Sequence, residues 1–119
     1  SPVYAAMIAS LDESVGRVLK QLDDLKLSDR TLVLVTADNG GVGGSRFEGG
    51  KPRPAAGVTD NAPLRAGKGS LYEGGVRVPW VVRWPGAVPP GTTDVPVSSV
   101  DLFPTLLELA GGTPPAGQP

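Results

Sequence analysis

The chain of 119 residues contains no cysteine and no histidine. Without cysteine there is no disulfide, no thiolate metal site and no thiol nucleophile. Without histidine the usual general base, the serine–histidine pair and most transition-metal sites are excluded. Any chemistry carried by these residues rests on carboxylates, amides, lysine, arginine and hydroxyls. An excess of one charge is lacking too: 11 Lys and Arg stand against 12 Asp and Glu, a net charge of −1. That balance argues against a basic grip on nucleic acid and against a polybasic membrane patch. No apolar run reaches the ~18 residues of a transmembrane helix. No signal-peptide pattern is read within these residues and the first is Ser1 rather than Met, so the sequence is expected to be a processed or trimmed piece of a longer one.

Glycine and proline are plentiful, 30 of the 119 residues, a level at which disorder begins to compete with folding. Apolar residues, at 39%, suffice for a small core in one domain. Ser1-Pro2 suits a helix N-cap and first helical position. Met7, Ile8, Leu11, Val15, Val18, Leu19, Leu22 and Leu25 then recur at helical spacing, with Asp12, Glu13, Arg17, Lys20 and Asp24 on the other face. This predicts an amphipathic helix that ends near Lys26 and covers a sheet. Ser28-Asp29 makes a turn. Thr31 to Ala37 reads TLVLVTA, which predicts a strand buried on both faces in a parallel sheet under helices.

From Gly40 to Pro63 the chain holds seven Gly and three Pro in 24 residues, a composition that fits a functional loop or a disordered one equally. Val76 to Trp84 predicts a second strand, with Pro79 at its start, edge or a bulge. Trp84-Pro85-Gly86 turns the chain. Asp101 is expected to cap a short helix from Leu102, with Pro104 in its first turn and Leu102, Leu106, Leu107, Leu109 and Ala110 as its apolar stripe. Gly111-Gly112 and Pro114-Pro115 end it, and residues 112–119 are expected to form a mobile tail. The fold class predicted is α/β, a layered fold with a mostly parallel sheet flanked by helices.

Ligands gather beyond the carboxyl ends of parallel strands, and Asp38 and Asn39 follow the first strand directly. A carboxylate and an amide oxygen are hard ligands suited to Ca²⁺ or Mg²⁺, though two oxygens fall short of a calcium shell. Asn39-Gly40 is equally an ordinary turn pair. Lys68, flanked by Gly67 and Gly69, suits a sulfate, phosphate or carboxylate as a point charge. It is equally a solvated loop lysine. The surrounding glycines match neither the P-loop nor the dinucleotide fingerprint, since Gly69 follows Lys68 and Arg46 stands where a third glycine belongs. Glu73 is a candidate third carboxylate site, but is rather expected to bind backbone amides, with Gly74 and Gly75 supplying unusual dihedrals. Arg65, Arg77 and Arg83 are candidates for structural ion pairs, and Trp80 and Trp84 for packing.

The ordered blocks are more informative than any one of them. Thr36-Ala37-Asp38-Asn39-Gly40, Asn61-Ala62-Pro63-Leu64-Arg65-Ala66-Gly67-Lys68-Gly69, Tyr72-Glu73-Gly74-Gly75-Val76-Arg77-Val78-Pro79 and Trp84-Pro85-Gly86 together resemble the formylglycine-dependent sulfatases. Leu11-Asp12, Val15-Gly16 and the closing Asp101-Leu102-Phe103-Pro104-Thr105-Leu106-Leu107 with Ala110-Gly111 also look like that family, so the resemblance covers almost the whole chain. It implies that residues 1–119 are the later portion of a catalytic domain of the sulfatase and alkaline-phosphatase-like fold. Asp38 and Asn39 then match a pair of divalent-metal ligands, usually for Ca²⁺, and Lys68 the lysine that holds the substrate sulfate. Glu73, Gly74, Gly75, Arg77 and Pro79 match a signature of mainly structural role.

The family's C/S-x-P-x-R nucleophile motif, its first aspartate pair and its histidines have no counterpart here. The expectation is therefore sulfate-ester hydrolysis in a complete enzyme and no activity in this chain alone. A phosphodiesterase or phosphonate hydrolase of the same superfamily, or a non-catalytic module binding metal or anions, are the alternatives. Self-association through exposed sheet edges is expected. The resemblance suggests an exported, periplasmic or lysosomal setting and leaves the natural substrate open.

Overall fold

The chain's structure, a computed structural model, describes residues 2–42, 59–113 and 117. It divides into two units, Ser1–Pro89 and Pro90–Pro119. The predicted N-cap at Ser1, most of the glycine-rich loop (43–58) and most of the predicted tail lie outside the described residues.

The first unit begins with α1 (Pro2–Asp24). Its end is built, not frayed. The Lys26 amide donates to the Asp23 carbonyl at 3.0 Å and the Leu27 amide to the Leu22 carbonyl at 2.8 Å. With Lys26 at φ 55°, this is the paired-bond helix stop that usually uses glycine at the left-handed position. A single 3₁₀ turn, Ser28–Arg30, follows and leads into β1 (Val33–Thr36). The chain returns through a one-turn helix, α2 (Glu73–Val76), into β2 (Trp80–Arg83). Pro79 stands just before β2, where its missing donor costs no ladder bond. Trp84-Pro85-Gly86 makes the predicted turn: Ala87 and Val88 amides both donate to the Trp84 carbonyl, with Gly86 at φ 79°.

The two strands pair antiparallel, Val33 opposite Arg83 through Thr36 opposite Trp80. This corrects the expectation of a mostly parallel sheet. Continuous apolar character reports how much a strand is covered; it does not encode the direction of its neighbour. Here the direction is set beyond the ladder. The Gly40 amide donates to the Gly75 carbonyl at 2.9 Å, which folds the outgoing and returning segments back along one another. Burial of β1 on both faces is likewise not seen: Val33 and Leu34 are half-buried, while Val35 is 40% exposed. Predicted strand 76–84 shrinks to four residues because Val76 closes the turn of α2.

The expected helix over a sheet is also modified. The α1 side chains Val3, Met7, Ile8, Leu11 and Val18 are exposed, and the half-buried ones of apolar or aromatic character are Tyr4, Val15, Leu19 and Leu22. The tie to the sheet is polar and sits at the helix end. The Arg83 guanidinium lies 3.4 Å from the Asp23 carboxylate, which also accepts the Ser28 hydroxyl. Trp84 Nε1 donates to the Asp29 carbonyl at 2.9 Å. Among the described residues no hydrophobic side chain is fully buried. The buried positions are glycines, Gly40, Gly67, Gly74 and Gly75. What is packed in this unit is backbone.

The second unit holds a 3₁₀ turn (Ser99–Asp101) and α3 (Leu102–Leu109). Asp101 does not serve as a simple N-cap of α3. Its carboxylate reaches back to accept the Ser98 amide at 2.7 Å, the reciprocal half of a capping box that moves the start upstream. Pro104 sits in the first turn as predicted. The Gly111 amide donates to Glu108 and the Gly112 amide to Leu107, both at 2.9 Å, with Gly111 at φ 81°. This is the stop used by α1, with glycine in place of lysine.

Candidate functional site

The glycine knot positions the residues singled out in the sequence. β1 ends at Thr36, and Asp38 and Asn39 follow with Gly40 buried behind them. Asp38 is exposed and Asn39 half-buried. The Asn39 carboxamide nitrogen donates to the Gly40 carbonyl at 3.1 Å. Its oxygen is the atom suited to a cation, as is the carboxylate of the preceding residue, Asp38. Gly40 must be glycine, because a Cβ there would run into the carbonyl oxygen of Gly74. Gly74 must be too, because a Cβ there would strike the carbonyl oxygen of Ala66.

Residues 61–75 close on this segment through main-chain bonds. The Lys68 amide donates to the Gly41 carbonyl at 2.9 Å, and the Gly74 amide to the Arg65 carbonyl at 2.9 Å. Lys68 is thereby fixed by its backbone to a residue two positions after Asn39, with its side chain exposed. The Asn61 carboxamide nitrogen donates to the Gly41 carbonyl at 2.8 Å and to the Ala66 carbonyl at 3.0 Å. Ala66 itself is left-handed, φ 63°, a conformation that costs a non-glycine residue about 1–2 kcal/mol.

The structure thus brings the Asp38–Asn39 segment and the Lys68 segment together. Glu73 stands apart from its expected role: its carboxylate pairs with Arg77 at 3.4 Å, on the exposed face of α2. Of the arginines proposed for ion pairs, Arg77 and Arg83 form them, while the Arg65 guanidinium lies over the Tyr72 ring, 3.7 Å from its centroid. Sequence reasoning missed Asn61 and the Gly41 carbonyl as structural elements of the site. The only signal for Asn61 was its place at the head of NAPLRAGKG; carbonyl positions leave no trace in residue identity.

A divalent cation fits Asp38 and Asn39 by donor chemistry, as two of the six to eight oxygens that calcium takes. Among the described residues no group of three or more acidic, histidine or cysteine side chains gathers to complete such a shell.

The sulfatase family model matches residues 2–112. The chain belongs to the sulfatase family. Arylsulfatase A of Homo sapiens is 44% identical over 112 residues, spanning 94% of this chain and 20% of that protein. Steryl-sulfatase of Rattus norvegicus is 40% identical over 119 residues, 94% of this chain and 19% of that protein. A solved relative, the crystal structure of Ps i-CgsB in complex with k-i-k-neocarrahexaose, superposes with a TM-score of 0.79 at 38% identity, covering 97% of this chain and 23% of that one. The chain therefore spans about a fifth of the length of the sulfatases it matches.

Proposed function

We propose that this chain supplies the anion- and cation-binding part of a sulfate-ester hydrolase, as a portion of a sulfatase catalytic domain. In this reading Lys68 holds the sulfate, and Asp38 and Asn39 hold a divalent cation, Ca²⁺ by family habit. The observation that carries it is the bond from the Lys68 amide to the Gly41 carbonyl. It ties the only cationic side chain of the glycine run 66–69 to the segment bearing both oxygen ligands. Membership of the sulfatase family supports the reaction class.

Asp38 and Asn39 would hold a divalent cation, which would supply positive charge toward sulfate oxygens. The chain's own residues do the rest of its share. Lys68 draws the sulfate in and keeps a fixed charge against oxygens whose charge grows as the ester bond breaks. The glycine knot fixes the Lys68 backbone, which limits the rearrangement needed to bring that charge to the sulfate, and preorganisation of this kind makes a charged group effective. No residue here serves as nucleophile or as proton donor to the leaving oxygen, so the isolated chain is expected to be inactive.

The test is Lys68→Ala in a complete sulfatase containing these residues. Turnover of p-nitrophenyl sulfate should fall roughly 10²–10³-fold in kcat/KM. Unchanged kcat/KM would remove Lys68 from the site. Sulfate-ester turnover by the 119-residue chain alone would overturn the division of labour.

A further inference from the structure

We propose that Asn61 is a positioning residue for Lys68, acting as a clasp between the lysine segment and the cation-ligand segment. This inference rests on the sulfate-binding role of Lys68 given above. Asn61 Nδ2 bonds two carbonyls that belong to different segments, Gly41 at 2.8 Å and Ala66 at 3.0 Å. A carboxamide NH₂ has two hydrogens, and both are directed at main chain.

The two acceptors are not interchangeable surface carbonyls. The Gly41 oxygen also receives the Lys68 amide, so its two lone pairs are shared between Asn61 and the residue that Asn61 positions. The Ala66 oxygen belongs to a left-handed residue two positions before Lys68. Its direction sets the Ala66–Gly67 peptide, and Gly67 is buried. The same oxygen is the wall that keeps Gly74 a glycine. A Cβ at Gly41 would also meet Asn61 Oδ1 at 2.6 Å, so the clasp is packed as well as bonded. Its effect is on where the Lys68 backbone sits.

Loss of the clasp takes this donor from both the Ala66 and the Gly41 carbonyls. The lysine segment then samples positions away from Gly41, and the charge on Lys68 is spread over a larger volume. Sulfate binding weakens, because part of the binding energy is used to order the loop.

The experiment uses a complete sulfatase containing these residues, with p-nitrophenyl sulfate as substrate and inorganic sulfate as competitive inhibitor. Asn61→Ala should raise the sulfate Ki and the substrate KM by about 10-fold, the loss of roughly one net hydrogen bond to charge-positioning geometry. Asn61→Gln keeps the donor group on a longer arm and should recover part of the loss. In a Lys68→Ala background, Asn61→Ala should add little to the Ki, because its effect passes through the lysine. A purely structural asparagine would lower the active fraction and so kcat, leaving Ki and KM unchanged; that result overturns the proposal. Should Asn61→Ala fail to fold, the Asn61→Gln pair of single and double variants carries the same test. A silent Lys68→Ala overturns the sulfate-binding reading itself, whereas a silent Asn61→Ala beside a damaging Lys68→Ala overturns the clasp alone.

Discussion

At Gly16, on the surface of α1, an added Cβ would meet nothing within 4 Å. At Gly74 it would strike the Ala66 carbonyl. The same substitution should therefore act in opposite directions. Gly16→Ala removes backbone freedom from the unfolded chain inside a helix and is expected to stabilise by about 0.5–1 kcal/mol. Gly74→Ala forces the site's backbone apart and is expected to destabilise by about 1–3 kcal/mol, with loss of sulfate-ester turnover. Thermal melts of a complete enzyme carrying each variant decide this; equal signs would mean that the glycine knot is not packed as described. Ala66 gives a third case. Its left-handed backbone accepts glycine without a Cβ penalty, so Ala66→Gly should be neutral to stabilising by about 1 kcal/mol. At this scale the sequence was informative about identity and silent about contact. Asp38, Asn39 and Lys68 stand out as candidates from their chemistry beside glycines. That Gly40 meets Gly74, or that Asn61 reaches the Gly41 carbonyl, follows from chain paths between residues some 20 to 35 positions apart, which local pattern does not encode.

Elements begin and end for reasons that differ in how readable they are. The stops of α1 and α3 use one hydrogen-bond arrangement, with Lys26 at φ 55° in one and Gly111 at φ 81° in the other. The glycine stop was legible in the sequence; the lysine stop was legible only as the end of an apolar stripe. Lys26→Gly should tighten the end of α1 by about 1 kcal/mol, read as a higher melting temperature. A fall would show that the Lys26 side chain contributes more than its backbone costs.

The junction of α1 with β2 adds a pH dependence. The Ser28 hydroxyl first of all holds the Asp23 carboxyl below its ordinary value; desolvation opposes this, and the Arg83 guanidinium and the Lys20 ammonium add to the lowering. A carboxyl lowered in the folded state binds fewer protons there than in the unfolded chain. Its stabilisation is therefore complete above the unfolded value, near pH 4, and is lost as pH falls through the folded one. Asp23→Asn should lower the melting temperature at neutral pH, and the gap to the parent should close in acid below about pH 4. A gap independent of pH would place the effect in packing and not in the carboxylate.

For the whole molecule, the decisive fact is that the described residues bury glycine backbone and no hydrophobic side chain. The periodicity of α1 and the run TLVLVTA announced elements correctly but promised a core that these residues alone do not close. Apolar pattern records what a segment covers in its full surroundings, and this chain spans about a fifth of its relatives' length. A two-stranded sheet is marginal on its own, and among the described residues each strand has one edge with no strand partner. β1 reads VLVT with no charge or proline, and the one charge of β2, Arg83, is engaged by Asp23. Natural edge strands are normally guarded by lysine, proline or a bulge. We propose that the isolated chain self-associates by pairing these edges. Light scattering after size exclusion should report masses above 12.2 kDa that grow with concentration. Val81, 57% exposed on β2, is the place to install a guard: Val81→Lys should shift the population toward monomer. A mass that stays at the monomer value across the concentration range would show that the open edges are not competent to pair. Association unaffected by Val81→Lys would move the contact from the sheet edge to the exposed apolar stripe of α1.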